Sequence, residues 1–181
     1  MSEKQKIVHS ILAAFEYLVF VGCLCVGVAV SYANALEIGD SLPALTVTGE
    51  GGERISLDDY SGKVVYLDVW ASWCKTCRHS LPWMDGLQRR FGSQGLQILA
   101  VNVDEDPKDA QKFLESSEVK LLVGYDPGGK IPAALRVQTM PTSYLIGRDG
   151  KLKAIHGGLN DERMKEIEKE IEELISQKGE G

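Results

Sequence analysis

The sequence predicts an α/β domain in which helices cover both faces of a central mixed β-sheet. Strand and helix patterns alternate from Val64 to Leu114, and an antiparallel hairpin pattern followed by one amphipathic helix ends the chain. Alternating strands and helices form parallel strands with crossover helices, whereas a tight hairpin adds an antiparallel pair. The chain has 181 residues, which is enough for one domain with a hydrophobic core.

The first elements are a hairpin, a strand and a helix. Segments 45–47 and 54–56 flank the Gly-rich "GEGG", which is typical of a short N-terminal β-hairpin. The β-branched, apolar run Val64–Trp70 predicts a buried central strand. From Lys75 to Phe91 apolar residues recur at helical spacing, and Gly92 marks the end of the predicted helix.

A second strand and a second helix follow. Leu96–Val103 is apolar along most of its length, as a buried strand would be, and Asp106-Pro107 then opens a helix. Leu121–Val123 predicts a short strand, and the "YDPGGK" after it predicts a loop. The order strand, helix, strand, helix favours a parallel arrangement of the first strands.

The last elements are antiparallel strands and a helix. Tyr144–Ile146 and Leu152–Ile155 flank the Asp-Gly turn of "GRDGK", which predicts a hairpin. Asp161–Gln177 has apolar residues on one helical face and charges elsewhere. In such folds ligand chemistry lies at the carboxyl ends of the parallel strands. The "WCKTC" segment directly follows one of them.

Residues 1–35 predict an export segment. Two lysines precede a largely apolar run at 7–30, and Ala33-Asn34-Ala35 has the small-x-small pattern of a signal peptidase site. Glu16 interrupts the run, so the segment is either a signal peptide cleaved after this motif or an N-terminal membrane anchor. Lipidation at Cys23 is a third interpretation, although the residues before it are a poor approach sequence for that chemistry.

In each case we expect residues 36–181 to form a domain outside the cytoplasm, in the periplasm or on the outer face of the cytoplasmic membrane. Contact with the membrane would come only through an uncleaved N-terminal segment. The formal net charge is −6 and no run of Lys and Arg is present, which argues against nucleic acid as a partner.

The domain contains one pair of cysteines, Cys74 and Cys77. A crosslink over so short a loop adds little stability. Covalent haem attachment requires His directly after the second cysteine, where Arg78 stands. A structural zinc site requires four ligands. The domain has no second Cys-x-x-Cys and offers His79 and His156 beside the two thiolates, so a structural zinc site is disfavoured. Cu(I) capture needs two thiolates and stays open as the alternative. Thiol-disulfide exchange is the favoured interpretation.

The positions of the two cysteines predict different roles. A cysteine at the start of a helix faces unpaired N–H groups that favour the thiolate, so Cys74 is the expected nucleophile. Cys77, in the first turn, is the expected resolving thiol. Asp68 lies on the apolar strand, where burial would raise its pKa and allow it to accept the proton of Cys77. Alternatively, Asp68 points to solvent at a strand end.

Three segments together resemble the thioredoxin superfamily, and most of all its exported TlpA/ResA-like branch. They are "GKVVYLDVWASWCKTCRHSLPWMDGLQRRF", "LQILAVNVDED" and "TMPTSYLIGRDGKL", and the resemblance covers residues 38–175. It implies a thioredoxin-like fold and a thiol:disulfide oxidoreductase that cycles a Cys74–Cys77 disulfide without any bound organic cofactor or metal.

The resemblance also implies roles for other residues. Asp68 matches the buried acid of thioredoxins, a place where many exported members have another residue. Pro82 matches the proline that kinks the active-site helix. Pro141 matches the cis-proline of the substrate loop, in which the backbone of Met140 pairs with an extended substrate. Ala100 stands where thioredoxins often have a lysine.

Other residues near the pair have two interpretations each. Trp70 and Trp73 are expected to pack around the site, and Trp73 is also a candidate for limiting solvent access to Cys74. Lys75 either favours the thiolate or is simply solvated. His79 is expected on the surface of the helix, and His156 is expected to be structural.

The expected function is reduction or isomerisation of protein disulfides, a direction that the family resemblance implies. A reductant in an oxidising compartment also needs an electron donor, for which we expect a membrane protein. Apocytochrome c is one candidate substrate. The alternatives are a Cu(I)-binding module that uses the same two cysteines, and an interaction domain whose cysteine pair is idle.

Overall fold

The computed structural model describes residues 36–177, and the predicted export segment lies outside them. The chain forms these elements in order: β1 Thr46–Thr48, β2 Arg54–Ser56, β3 Val64–Trp70, α1 Lys75–Phe91, β4 Leu96–Asn102, α2 Pro107–Ser117, β5 Leu122–Tyr125, α3 Lys130–Ala134, β6 Thr142–Ile146, β7 Leu152–Gly157 and α4 Asp161–Ser176. None of the helices within this range combines the length and hydrophobicity that a bilayer crossing requires.

The strands form one seven-stranded mixed sheet in the order β2-β1-β5-β4-β3-β6-β7. Strand β3 pairs parallel with β4, and β4 pairs parallel with β5. Strand β6 pairs antiparallel with β3 and with β7, and β1 pairs antiparallel with β2 and β5. The predicted mixed sheet is therefore confirmed, and β3, the strand that precedes the cysteines, lies in its interior between β4 and β6.

Strand β3 is buried along its whole length because both faces of the sheet are covered. Its alternate residues belong to two hydrophobic clusters, as the two-residue period of a strand requires. Tyr66 and Trp70 face the cluster with α1, α2 and α4, while Leu67 and Val69 face the cluster that includes Ile131 of α3. Helices therefore lie on both faces, as predicted.

The predicted loop "YDPGGK" is confirmed over residues 126–129, and the short helix α3, for which no prediction was made, begins directly after it at Lys130. The Asp126 carboxylate accepts a hydrogen bond from the Ile131 backbone N–H at 2.6 Å, and Gly129 has a φ of 62° directly before the helix. A side chain five residues away thus satisfies a free N–H group of this short helix. Five residues are too few to show a helical period in the sequence.

Candidate active site

The cysteine pair lies where β3 leads into α1. Cys74 is the N-cap of the helix, with an extended backbone, and its Sγ accepts a hydrogen bond from the Cys77 backbone N–H at 3.3 Å. The Cys74 N–H donates to the Ala71 carbonyl at 3.1 Å, which closes the loop before the helix. The two sulfurs form a disulfide, and their Cα atoms are 5.3 Å apart. The pair is thus at the carboxyl end of β3.

The two cysteines differ in accessibility. Cys74 is 9% exposed, whereas Cys77 is completely buried. The backbone N–H that contacts Cys74 Sγ belongs to the first helical turn, where free N–H groups and the helix dipole stabilise negative charge. An incoming sulfur can therefore reach Cys74 and not Cys77, and a thiolate is favoured at the position that it reaches.

Asp68 is buried in the middle of β3 and is 2% exposed. It lies between Tyr66 and Trp70 on the same side of the strand, which is the face that α1 covers. Burial raises the pKa of Asp68 well above its ordinary value. Its Oδ2 has no hydrogen-bond partner among the described residues. The alternative of a solvent-facing Asp68 is therefore wrong, because the strand is central and covered.

Asp104 holds the loop before Cys74, and the sequence reasoning missed it. Its buried carboxylate accepts hydrogen bonds from the Ser72 backbone N–H at 3.0 and 3.1 Å and from the Ser72 hydroxyl at 3.2 Å. Asn102 Nδ2 also donates to Asp104, at 2.8 Å. The end of β4 thereby positions the residues that lead to the helix. The signal was the acidic "DED" directly after a buried strand.

The Met140–Pro141 peptide bond is cis. Strand β6 begins at the next residue, and Val69, near the end of β3, pairs with Thr142 at the start of β6. The Thr142 hydroxyl donates to the Thr139 carbonyl at 2.7 Å across the loop. This register puts the Pro141 loop and the cysteine loop at the same end of the paired strands β3 and β6. The Met140 side chain is partly buried against the core.

The tryptophans of the site have different environments. Trp70 is completely buried and its ring lies 5.9 Å from that of Phe113, whereas Trp73 is 69% exposed. The packing interpretation thus applies to Trp70 and is wrong for Trp73, because Trp73 follows the end of the strand. The Arg78 guanidinium lies 4.9 Å from the centre of the Phe113 ring, so α1 and α2 contact beside the site.

The remaining candidates on α1 and β7 divide into exposed and buried residues. Lys75 and His79 are exposed, in agreement with a solvated lysine and a surface histidine. Pro82 lies inside α1, at the predicted position. His156 is buried on β7, and its Nε2 is 2.9 Å from Glu170 Oε2.

Within residues 36–177 no three His, Cys, Asp or Glu side chains are grouped in a way that could hold a metal ion.

Residues 37–175 match the model of the family described as Redoxin. The chain belongs to the Redoxin family. It is 36% identical over 142 residues to the thiol-disulfide oxidoreductase ResA of Bacillus cereus, a match that covers 78% of this chain and 82% of the relative.

Solved structures of similar proteins agree with this family. A Chlorobium tepidum protein described as a thiol:disulfide interchange protein DsbE has a TM-score of 0.76 and 39% identity, over 78% of this chain and all of that one. The exposed lipoprotein thioredoxin Etrx1 of Streptococcus pneumoniae has a TM-score of 0.64 and 31% identity, over 73% of this chain and all of that one. This Redoxin-family protein is thus a TlpA/ResA-like member of the thioredoxin superfamily, and its enzyme class is thiol:disulfide oxidoreductase.

Proposed function

We propose that this protein is exported and reduces disulfides of protein substrates outside the cytoplasm, with Cys74 as the nucleophile, Cys77 as the resolving thiol and Asp68 as the proton acceptor. The observation that carries the proposal is the asymmetry of the pair: Cys74 is reachable at a helix N-terminus, and Cys77 is buried behind it. Similarity to the pneumococcal thioredoxin described as an exposed lipoprotein supports the exported setting.

The first step forms a mixed disulfide. The Cys74 thiolate attacks one sulfur of the substrate disulfide, and the substrate S–S bond breaks. A bond forms between Cys74 Sγ and that sulfur, and the other substrate sulfur leaves as a thiolate. The helix N-terminus around Cys74 stabilises the attacking thiolate before the bond forms.

The second step releases the substrate. Cys77 gives its proton to the Asp68 carboxylate, and its sulfur attacks Cys74 Sγ. The mixed disulfide breaks, the second substrate thiolate leaves, and the Cys74–Cys77 disulfide forms. Two electrons pass from the enzyme to the substrate. The raised pKa of Asp68 suits a carboxylate that must take a proton from a thiol.

Substrate binding is assigned to the loop of Met140 and cis-Pro141, whose backbone would pair with an extended substrate segment by strand addition. The exposed Trp73 beside Cys74 adds an apolar contact for the same segment. Apocytochrome c, as in cytochrome c maturation, is the substrate that we would test first. A membrane protein with a reduced cysteine pair would return the two electrons.

We also propose that residues 1–35 act as a signal peptide or a membrane anchor for the thioredoxin-like domain of residues 36–181. Fractionation of expressing cells, with N-terminal sequencing of the recovered protein, tests it. We expect the protein to be recovered outside the cytoplasm. It should either start at Leu36 or remain in the membrane with its first residues intact. Recovery of the full chain in the cytoplasm would contradict export.

The chemical part is tested by insulin reduction with dithiothreitol as the donor. Cys74→Ser should abolish the catalysed rate, and Cys77→Ser should accumulate a mixed disulfide with the substrate. Asp68→Asn should slow resolution of the mixed disulfide more than its formation between about pH 6 and pH 9. Equal rates for wild type and Cys74→Ser would mean that the pair is idle. Absence of exchange together with stoichiometric Cu(I) binding would support the copper alternative instead.

A further inference from the structure

A row of polar side chains crosses three strands next to Asp68. In the register of the sheet, Asp68 on β3 pairs with Ser143 on β6, and Ser143 pairs with His156 on β7. Residues that pair directly across strands project to the same face, with Cβ atoms about 5 Å apart. All three are buried. The row therefore runs from the acid beneath α1 to the edge strand of the sheet.

Tyr66 joins this row through its hydroxyl. The hydroxyls of Tyr66 and Ser143 are 2.7 Å apart, and both residues are buried. Burial is the first cause that raises the pKa of Tyr66. The charge of Asp68 raises it further, while the bond to Ser143 lowers it and the charge of Glu170 raises it. Tyr66 is thus close enough to sense carboxylates at both ends of the row.

His156 connects the row to solvent. Its Nε2 lies 2.9 Å from Glu170 Oε2, and the Glu170 side chain on α4 is 41% exposed while that of His156 is 3% exposed. His156 Nδ1 is buried and has no partner within the part of the chain that the structure describes. One ring nitrogen therefore faces a carboxylate at the surface, and the other faces the interior.

The opposite side of Asp68 offers no comparable groups. Its cross-strand neighbour on β4 is Ala100, whose side chain carries no polar atom. The face that covers Asp68 is the hydrophobic cluster of α1, which includes Cys77 and Leu81. Proton transfer needs polar groups within hydrogen-bond reach, directly or through a water. Among the described residues in line with Asp68 across the sheet, those on β6 and β7 carry such groups in their side chains.

We propose that the buried Asp68 exchanges its proton with solvent along this row, through the side chains of Ser143, Tyr66, His156 and Glu170. The inference rests on the proposed role of Asp68 as proton acceptor. Because Asp68 Oδ2 and His156 Nδ1 have no hydrogen-bond partner among the described residues, a bound water completes each of these two links in the proposed path. In each passage the Asp68 carboxyl loses one proton, each water and each hydroxyl accepts one and donates one, and His156 takes a proton at Nδ1 and gives one from Nε2. Glu170 then passes it to water, the imidazole returns to its starting tautomer before the next passage, and no electrons move.

The path matters because a protonated Asp68 cannot accept the proton of Cys77. A molecule in which the acid is already protonated must first lose that proton before the mixed disulfide can resolve. His156 and Glu170 would set the speed of that loss. The charged groups that face His156 from α4 are Glu170, Arg163 and Glu166, so changes at the latter two would shift the pH range of transfer rather than remove the path.

The test is resolution of a mixed disulfide after rapid mixing of the reduced protein with a small disulfide-bonded peptide. In His156→Ala we expect unchanged formation of the mixed disulfide and resolution slowed at least about tenfold. Free imidazole should restore resolution in a concentration-dependent way, because it can replace the missing ring. Slow resolution that imidazole does not restore would overturn the path and leave His156 with a purely structural role.

Further variants keep the test decisive. His156→Gln can still bond Glu170 but cannot relay a proton, and Glu170→Gln removes the surface carboxylate; both should slow resolution, whereas Glu173→Gln, an exposed acid of the same helix, should not. Wild-type resolution in His156→Gln would overturn the proposal even if His156→Ala does not fold. If Asp68→Asn resolves normally, the proposed function of Asp68 fails as well. If Asp68→Asn is slow and the His156 variants are normal, only the path fails.

Discussion

Substitution of Asp68 by Asn should make the oxidised protein more stable at neutral pH, and the gain should grow with pH. Burial raises the pKa of Asp68 above that of the unfolded chain, so over the interval between the two values the folded state holds a proton that the unfolded state has released. Stability then falls as pH rises, starting near the unfolded pKa of about 3.9 and ending above the folded pKa. Asn has nearly the same shape and cannot ionise.

The magnitude follows from the same linkage. Over each pH unit in which Asp68 is protonated only in the folded state, wild type loses up to about 1.4 kcal/mol relative to Asp68→Asn. The Asp68 Oδ2 has no hydrogen-bond donor among the described residues to offset the cost of the buried charge. Two pH units would therefore separate the two proteins by up to about 2.7 kcal/mol.

Urea unfolding of both oxidised proteins at several pH values between about 5 and 8 measures this difference, with free energies from linear extrapolation. Asp149→Asn is the contrasting control, because the hydrogen bond from Lys153 is the main cause that lowers the pKa of Asp149. Between about pH 5 and pH 8 the Asp149 carboxyl is ionised in both the folded and the unfolded state, so the difference between Asp149→Asn and wild type should stay constant across this range. Parallel pH curves for wild type and Asp68→Asn would refute the assignment of a buried acid with a raised pKa.

Three further predictions concern the scaffold. Gly124→Ala should destabilise the fold by about 1–3 kcal/mol in thermal or urea unfolding, because a Cβ there would meet Val47 Cγ2 at 2.1 Å. Asp104→Ala should lower the free energy of unfolding by about 3 kcal/mol and also slow insulin reduction, because Ser72 loses its acceptor; wild-type kinetics would contradict its positioning role. Met84→Ala should cost about 2–5 kcal/mol in urea unfolding, since the side chain is fully buried.

The central strand and the active-site helix could be predicted from the sequence to the residue. Val64–Trp70 and Lys75–Phe91 have the bounds that hydrophobic patterning predicts, because a continuous apolar run and a helical period are local signals. The position of Asp68 within such a run also predicted its burial. Local pattern was sufficient wherever the structure depends on neighbours in the chain.

Contacts between distant residues could not be predicted in this way. Asp104 reads as a loop acid, and its bond to Ser72 depends on β4 lying beside β3. His156 reads as the end of a strand, and its place in line with Asp68 depends on two strand registers. A one-residue slip in either register would turn His156 to the other face of the sheet. The order and register of the strands in the folded sheet decide which of these distant residues meet.

The unequal exposure of the two cysteines limits how the enzyme can meet its partners. Because Cys77 is enclosed, the proposed substrate protein and the proposed electron-donor protein would both have to approach the same sulfur, that of Cys74. They cannot occupy the enzyme together, so turnover has to alternate between them, as in a ping-pong cycle. A large excess of either partner would then compete with the other for Cys74 Sγ.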